Sequence, residues 1–382
     1  MKICAIICEY NPFHNGHLYQ LQKAKELSGT DAILCLMSGN FVQRGEAAIA
    51  DKYIRAKHAV LAGADVVIEL PVAFATANAE LFAKGAIRIL SQIPQITHLC
   101  FGAETADENA FYQAAKLCNN EPKEVSDKIK QLMKDGVSFA KARAKAWEGI
   151  LPAELFSSPN NILGLEYTKA IFAMRSNIRI LPIQRVGGGY ADSTLLENFS
   201  SASAIRSALL KGENVATQVP SFVIDELYGY DTTVFESMEK YALLSNSESD
   251  IREICDCTEG LENALKKAAT LPQTLVEALT SPRYTSSRIR RIALQNVLHI
   301  QESTIRLALE TSLYLHVLAI KKDKKELLSV LGESTAPVLI RAHDENALQG
   351  IAKVCYEKDV FADSVYRLLN SAANMEKNIF IK

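Results

Sequence analysis

The chain has 382 residues, 48% of them hydrophobic, with 42 Lys+Arg against 44 Asp+Glu and a formal net charge of −2. That length and apolar content support about two or three domains with a sizeable core, and 23% charged with 7% aromatic residues excludes wholesale disorder. The charge balance excludes a uniformly basic nucleic-acid coat while leaving a local basic patch open, and no apolar run reaches the ~18 residues a bilayer crossing needs.

The opening MKICAIICEYNPFHNGH carries a short apolar run that turns polar without a small-residue cleavage site, so 2–8 reads as a strand and not as a signal peptide. Leu18, Leu21 and Leu27 fall at helical spacing over 16–27, stopped by Ser28-Gly29. A strand over 32–37 follows, then a helix over 51–62 with Asp51 as its cap and Gly63 at its end. VVIEL (66–70) is a strand stopped by Pro71, 78–91 a helix, and 98–101 a strand ending at Gly102. Strands apolar on both faces alternating with helices predict a parallel sheet covered on both sides, a doubly wound α/β domain. Residues 126–148 read as helix with the single tryptophan, Trp147, packing. A loop over 157–161, a helix over 163–174, a strand over 178–183, a loop holding Arg185 and Gly187–Gly189, and a helix near Ala204 complete this part. Beyond about residue 215 the pattern turns helical, over 222–229, 234–243, 260–280, 285–299, 302–319, 346–356 and 361–373. The expected division is therefore 1–215, a doubly wound α/β domain, and 216–382, a mainly helical domain. The eight cysteines include no CxxC pair and no zinc spacing with histidine, which fits a reduced, cytoplasmic protein.

In a doubly wound sheet, ligands bind at the carboxyl ends of the strands. The unusual polar residues gather there: Glu9 to His17 after the first strand, Ser38 to Glu46 after the second, Gly102-Ala103-Glu104 after 98–101, and Arg185 after 178–183. His14-Asn15-Gly16-His17 sits where strand turns into helix. A helix amino terminus offers unpaired N–H groups and partial positive charge to phosphate, and Gly16 permits close backbone approach. Two imidazoles there can donate to an α-phosphate as charge develops. The same i,i+3 pair suits a metal, but no third ligand is evident, so no metal residue is assigned. Neither GxxxxGK[ST] nor GxGxxG occurs in this turn. Gln43, Arg44 and Glu46 form a polar loop beside the crevice. Lys52 and Arg55, one helical turn apart, are expected on a solvated helix face; Glu69 and Glu80 have no assigned role.

EYNPFHNGH resembles the HxGH signature of the nucleotidyltransferase superfamily. EYNPFHNGHLYQ, MSGNFVQRGE, GADVVIELP, FGAE, PNNILGLEY and SASAIR, taken together, resemble the bacterial tRNA(Met) cytidine acetate ligase family, in order over the first 210 residues. PRYTSSRIRR (282–291) resembles a stretch of that family's RNA-binding part. The resemblance implies activation of acetate by ATP as acetyl-adenylate, then acetyl transfer to the wobble cytidine of elongator tRNA(Met), giving N4-acetylcytidine, AMP and pyrophosphate, with Mg2+ accompanying the triphosphate. It implies that His14 and His17 are catalytic. It implies that the ATP site comprises Ile7, Cys8, Glu9, Tyr10, Asn11, Pro12, Phe13, His14, Asn15, Gly16, His17, Leu18, Tyr19 and Gln20, with Gly102, Asn160, Arg185 and Val186. Ser203 and Arg206, one turn apart, resemble the superfamily's second phosphate motif.

Arg283, Tyr284, Arg288, Arg290 and Arg291 put four cations and an aromatic within nine residues. Such clusters contact phosphate and stack a splayed base, so they are the expected tRNA-binding residues, with Arg288 and Arg291 sharing a helix face. Lys266-Lys267 and the lysines of 321–325 are charge runs of the kind that form solvated faces, with extension of the same surface as the alternative. An adenylyltransferase with a small-molecule acceptor is the alternative, and the arginine-bearing helical region speaks against it. A non-catalytic RNA-binding scaffold is the second, and the joint presence of both histidines, Arg185 and Arg206 speaks against that. No membrane and no stable protein partner is implied.

Overall fold

The computed structural model describes residues 1–186, 199–370 and 379–382. Gly187–Gly189 of the loop expected after 178–183, and the end of the expected 361–373 helix, lie outside these. Among the described residues ten strands run in chain order: β1 (Ile3–Cys8), β2 (Ala32–Ser38), β3 (Phe41–Val42), β4 (Glu46–Ala47), β5 (Val66–Leu70), β6 (Ile96–Ala103), β7 (Arg179–Gln184), β8 (Leu315–Lys321), β9 (Val338–Leu339) and β10 (Phe380–Ile381). All but β3 and β4 belong to one sheet of order β10-β8-β5-β2-β1-β6-β7, with β9 beside β8. From β5 to β7 every pairing is parallel, with Cys8 opposite Met37 and Gly102 opposite Ile183. Strands with no polar alternation become fully buried; Ile3 through Ile6 and Leu34 through Met37 have no exposed surface. The chain lays β2 and β5 on one side of β1 and β6 and β7 on the other. The switch point at the carboxyl ends of β1 and β6 is therefore the natural ligand crevice.

The helices expected at 16–27, 51–62 and 78–91 are observed as Asn15–Ser28, Lys52–Leu61 and Ala79–Leu90. Asp51 and Asn78 accept the first backbone N–H groups of the latter two, and Gly29, at φ 58°, closes the first. Helix Glu108–Asn119 was not anticipated. The expected 126–148 helix is two, Lys123–Lys134 and Phe139–Trp147, broken where Gly136 takes φ 84°. The 157–161 loop is shorter than expected because Pro159 opens helix Pro159–Ala173, which puts Asn160 in its first turn.

The largest departure lies beyond residue 300. The expected 302–319 helix ends at Glu310, and Leu315–Lys321 is β8, paired antiparallel to β5. Its run of buried apolar residues cannot be told from a buried helix by periodicity alone. The 346–356 and 361–373 helices are one, Gly350–Leu369. A division at 215 therefore does not separate the sheet: Leu315, Val317 to Ile320, Tyr366 and Ile381 belong to the same apolar core as Ile3. A second, smaller core, with Leu243, Ile251, Leu261, Leu265, Leu275, Ile289 and Ile292, joins the helices between Thr232 and Val297 into an arm.

Candidate active site

The turn after β1 is set by mutual contacts. Tyr10 takes φ 50°, in the left-handed region, and its buried ring lies 4.8 Å from those of both Phe13 and His17. His14 caps helix Asn15–Ser28: its Nδ1 accepts from Gly16 N–H at 3.0 Å, and its own N–H donates to His17 Nδ1 at 3.3 Å. A Cβ at Gly16 would lie 2.9 Å from His14 Cε1, so the folded-back ring requires glycine there. The two imidazoles stack with centroids 3.6 Å apart. With both Nδ1 atoms accepting, each neutral ring carries its proton on Nε2. Burial, then Arg185 and Arg206, pull His14 down to about 3; burial, then His14 and Arg185, hold His17 far below its ordinary value. Two stacked neutral imidazoles lining a cleft can offer Nε2–H donors to an oxygen that gains negative charge.

Of the residues expected at the nucleotide, Ile7 to Asn11, His14, His17, Gln20, Gly102, Asn160, Arg185, Ser203 and Arg206 line one cleft of about 180 Å³. Gly16, Tyr19 and Val186 line a smaller neighbour of about 50 Å³ that shares His14, His17, Gln20, Gly102 and Arg185 with it. Four expected residues reach neither cavity. Pro12 and Phe13 turn inward and are buried, Leu18 packs on the core, and the Asn15 amide donates to Thr217 O at 2.8 Å. Helical and turn geometry sends alternate side chains to the sheet, so a contiguous 7–20 site cannot all face one ligand.

Segments remote in sequence meet here. Glu104 holds Asn160 Nδ2 at 2.6 Å and Asn161 N–H at 2.9 Å, and Asn160 Oδ1 faces Arg185 Nη1 at 3.5 Å. Asn161, not singled out from the sequence, accepts the Glu104 and Thr105 N–H groups and is fully buried. Arg206 donates to Asn11 O at 2.8 Å, and its Nη2 approaches Glu46 at 3.3 Å and Ser203 Oγ at 3.4 Å. Arg44 also donates to Ser203 Oγ, at 3.2 Å, and Gln43 N–H donates to the Glu9 carboxylate at 2.8 Å. Burial raises the Glu9 carboxyl above its ordinary value against the pull of the Gln43 N–H and of Arg206, Arg44 and Arg55. A larger cavity of about 700 Å³ lies beyond Arg206 and Glu46 and shares them with the cleft, but it contains neither histidine.

Lys52 and Arg55 overturn the expectation of a solvated face. Both are wholly buried. Arg55 donates to the carbonyls of Glu9 (2.5 Å), Ser38 (3.1 Å), Ala50 (2.9 Å) and Gly39, clamping the carboxyl ends of β1 and β2 together. Lys52 Nζ lies 2.8 Å from both Glu69 and Asp363, and Glu69 also takes His316 Nδ1 at 2.6 Å. Burial opposes the Glu69 charge, but Lys52 and His316 hold its carboxyl down to about 2. The signal that was missed is three-dimensional: Asp363 and His316 come from helix Gly350–Leu369 and β8, more than 240 residues downstream. Glu80, also left without a role, pairs with Lys84 at 2.7 Å on its own helix.

The arginine cluster divides. Arg288 and Arg291 do share a face of helix Ser286–Val297, and both are tied to the loop at Asp256: Arg288 to its carbonyl at 2.7 and 3.0 Å, Arg291 to its carboxylate at 3.2 Å. Arg283 pairs with Glu259 at 3.0 Å, and it and Arg288 flank the Tyr284 ring at 5.8 and 5.3 Å. These three arginines line a cavity of about 580 Å³ together with Lys84, Arg143 and Phe139. Arg290 points the other way and donates to Glu46 at 2.9 Å, so Glu46 bridges Arg206 and the arm. The β3–β4 turn is pressed against that helix, since a Cβ at Gly45 would meet the Arg290–Arg291 backbone at 2.5 Å. Lys321 to Lys325 do not extend this surface: Lys321 N–H donates to Asp65 O before β5, at the amino-terminal ends of the parallel strands and across the sheet from the cleft. Among the described residues, no group of three His, Cys, Asp or Glu is placed to hold a metal ion, and no helix is long and apolar enough to cross a membrane.

Comparison with known proteins adds to this geometry. The model of the HIGH nucleotidyl transferase family matches residues 1–379. A tRNA(Met) cytidine acetate ligase from Thermoanaerobacter pseudethanolicus is 36% identical, over 96% of this chain and 95% of its own length. Its counterpart from Anoxybacillus flavithermus is 37% identical over 90% of each chain. The solved apo structure of Thermotoga maritima TmcAL superposes with a TM-score of 0.90 at 29% identity, and that protein bound with alpha-thio ATP with 0.87, both over the full length of each chain.

Proposed function

The chain belongs to the HIGH nucleotidyl transferase family, and from that premise we propose that it is an ATP-dependent tRNA(Met) cytidine acetate ligase. The observation that carries the reading is the stacked, neutral histidine pair at the switch point, in one cleft with Asn160, Arg185 and Arg206. ATP enters with its α-phosphate at the two Nε2–H donors and its outer phosphates toward Arg206 and Ser203. Gly102, Asn160 and Val186 flank the nucleoside, and Arg185, beside the histidines, supplies a cation to the phosphates. An acetate oxygen attacks the α-phosphorus in line, and pyrophosphate leaves. Charge on the equatorial oxygens rises in that step, and the histidines are already oriented to it, so the stabilisation costs no reorganisation.

In the second step the N4 amine of the wobble cytidine attacks the acetyl carbonyl carbon. The new C–N bond forms, the C–O bond to the phosphate breaks, AMP departs and N4 gives up one proton to solvent. Arg283, Tyr284, Arg288, Arg290 and Arg291 receive the RNA; the exposed ion pairs of Arg283 and Arg290 exchange for phosphates, and Tyr284 supplies a stacking surface. Magnesium arrives bound to the triphosphate. The eight free cysteines fit a reduced, cytoplasmic setting.

The test separates the two steps. Acetate-dependent ATP–pyrophosphate exchange reports adenylate formation, and the mass of the tRNA nucleosides reports acetyl transfer. His14→Ala and His17→Ala should each lower exchange by about 10²–10³-fold, the range for losing one aligned donor, while tRNA affinity stays unchanged. Exchange at the wild-type rate in both variants, or transfer that requires acetyl-CoA, rejects the reading.

A further inference from the structure

The cleft has apolar lining to which the proposed nucleotide pose assigns no role. Val42, Phe82, Phe101, Leu163 and Tyr167 form an apolar wall, and none of them lies on the helices that carry the histidines and Arg206. We propose that this wall is the acyl pocket of the enzyme: it receives the methyl group of a two-carbon carboxylic acid and rejects longer chains. The inference deepens the ligase reading and rests on it.

In-line displacement puts the attacking carboxylate oxygen on the far side of the α-phosphorus from the departing pyrophosphate. With the outer phosphates at Arg206 and the nucleoside along Gly102, Asn160 and Val186, as proposed, the acid is left the remaining wall. That wall matches its chemistry, apolar where a methyl group must be desolvated and opening on the polar Gln43–Arg44 side where the carboxylate must sit.

The wall is also rigid. The Tyr167 ring lies 5.9 Å from Phe101 and 6.5 Å from Phe82, and Phe101 abuts Phe111 edge-on at 5.3 Å. Phe82, Phe101 and Tyr167 are buried. Behind Leu163, Gly164 lets helix Pro159–Ala173 press on β6: a Cβ there would lie 2.4 Å from the Phe101 ring and 3.0 Å from that of Phe111. A close-packed wall with no slack cannot yield to an extra methylene. An apolar pocket of this kind separates acids differing by one methylene by about 10–200-fold.

The experiment is ATP–pyrophosphate exchange by the full chain with acetate, propionate or butyrate. Wild type should favour acetate over propionate by at least about tenfold in kcat/KM. Leu163→Ala and Phe82→Leu should reduce that preference about tenfold or invert it, with the KM for ATP unchanged, and Leu163→Phe should raise the KM for acetate about tenfold. Leu163 is only half-buried, so its two variants carry the test if Phe82→Leu does not fold. A wild type indifferent to chain length, Leu163 variants whose acid preference stays within twofold of wild type, or effects confined to the KM for ATP would overturn the pocket. Absence of acetate-dependent exchange in the wild type would instead overturn the ligase reading beneath it.

Discussion

Lys52 and Arg55 beneath the cleft, and the arginines of the arm, are both clusters of cations, yet the fold uses them in opposite ways. Arg55 is fully buried and directs its donors to four backbone carbonyls, and Lys52 is fully buried between two carboxylates. Neither can leave these partners without stranding a desolvated group. Arg283 and Arg290 are half-exposed, each paired with a single carboxylate, Glu259 and Glu46. Such pairs are worth about 0–1 kcal/mol and exchange readily for an incoming phosphate. Burial and the identity of the partner, more than the presence of positive charge, separate a structural strut from a cation held ready for a ligand.

The strut end can be broken most sharply at Lys52. Lys52→Met leaves Glu69 and Asp363 facing each other in the core and should cost about 3–5 kcal/mol, the range for breaking one side of a buried pair. Urea unfolding reads it directly; a loss below about 1 kcal/mol would place this lysine with the exchangeable cations.

The histidines mark a third regime, basic groups that the fold keeps uncharged. An unfolded imidazole takes up its proton near pH 6.5, whereas folded His14 does so only at about 3. The unfolded state therefore binds more protons in that window, and stability falls as pH falls from 6.5 toward 3, by about 1.4 kcal/mol per unit for this group. His14→Asn keeps a helix cap and removes the titration. Its stability should fall less steeply between pH 6.5 and 5 than that of the wild type; equal slopes would mean that His14 is charged in the folded protein.

Within the arm the same distinction applies residue by residue. Arg288 spends its guanidinium on the Asp256 carbonyl and the Thr258 hydroxyl, and Arg291 is only 12% exposed in its side chain. Arg283→Ala with Arg290→Ala should weaken tRNA binding about tenfold and lower its salt slope by about 1.5, since each lost phosphate contact removes about 0.7–0.9. Arg288→Ala with Arg291→Ala should change the slope less and lower the stability of the arm more. The reverse ranking would erase the distinction between anchored and exchangeable arginines.

How much of this was legible in the sequence follows from range. The parallel strands, the capped helices and the His14–His17 turn are written in contiguous residues, and so was the face shared by Arg288 and Arg291. β8 was not, because a short, mostly apolar buried run carries no period that separates strand from helix. Nor were the partners that decide what each cation does. Asp363 and His316 are brought to the Lys52–Glu69 pair by the return of the chain to the sheet, Asp256 to Arg288 by the packing of the arm, and Arg290 to Glu46 by the contact of the arm with the β3–β4 turn. The inward turn of Phe13 and Leu18 was hidden for a related reason: a motif marks a segment, whereas which of its side chains face the ligand depends on the surface it packs against.

Glu46 joins the two ends, and the smallest expected effect is the most revealing of how. Its carboxylate lies 3.3 Å from Arg206 and 2.9 Å from Arg290, with about a fifth of its side-chain surface exposed. If, as proposed, a phosphate of the RNA draws Arg290 away, Glu46 would be left entirely to Arg206 and would compete with the triphosphate for it. If the triphosphate draws Arg206 away, Glu46 would hold Arg290 more tightly against RNA. Two anionic ligands that borrow cations from one carboxylate must oppose each other by equal factors. Glu46→Gln should therefore lower the KM for ATP and strengthen tRNA binding, each by about two- to fivefold at low salt, the scale of a half-exposed ion pair. It should also remove the dependence of the KM for ATP on saturating tRNA, and both effects should fade at high ionic strength. If the variant binds both ligands as wild type does at every salt concentration, the bridge carries no coupling, and the arm and the cleft recognise their ligands independently.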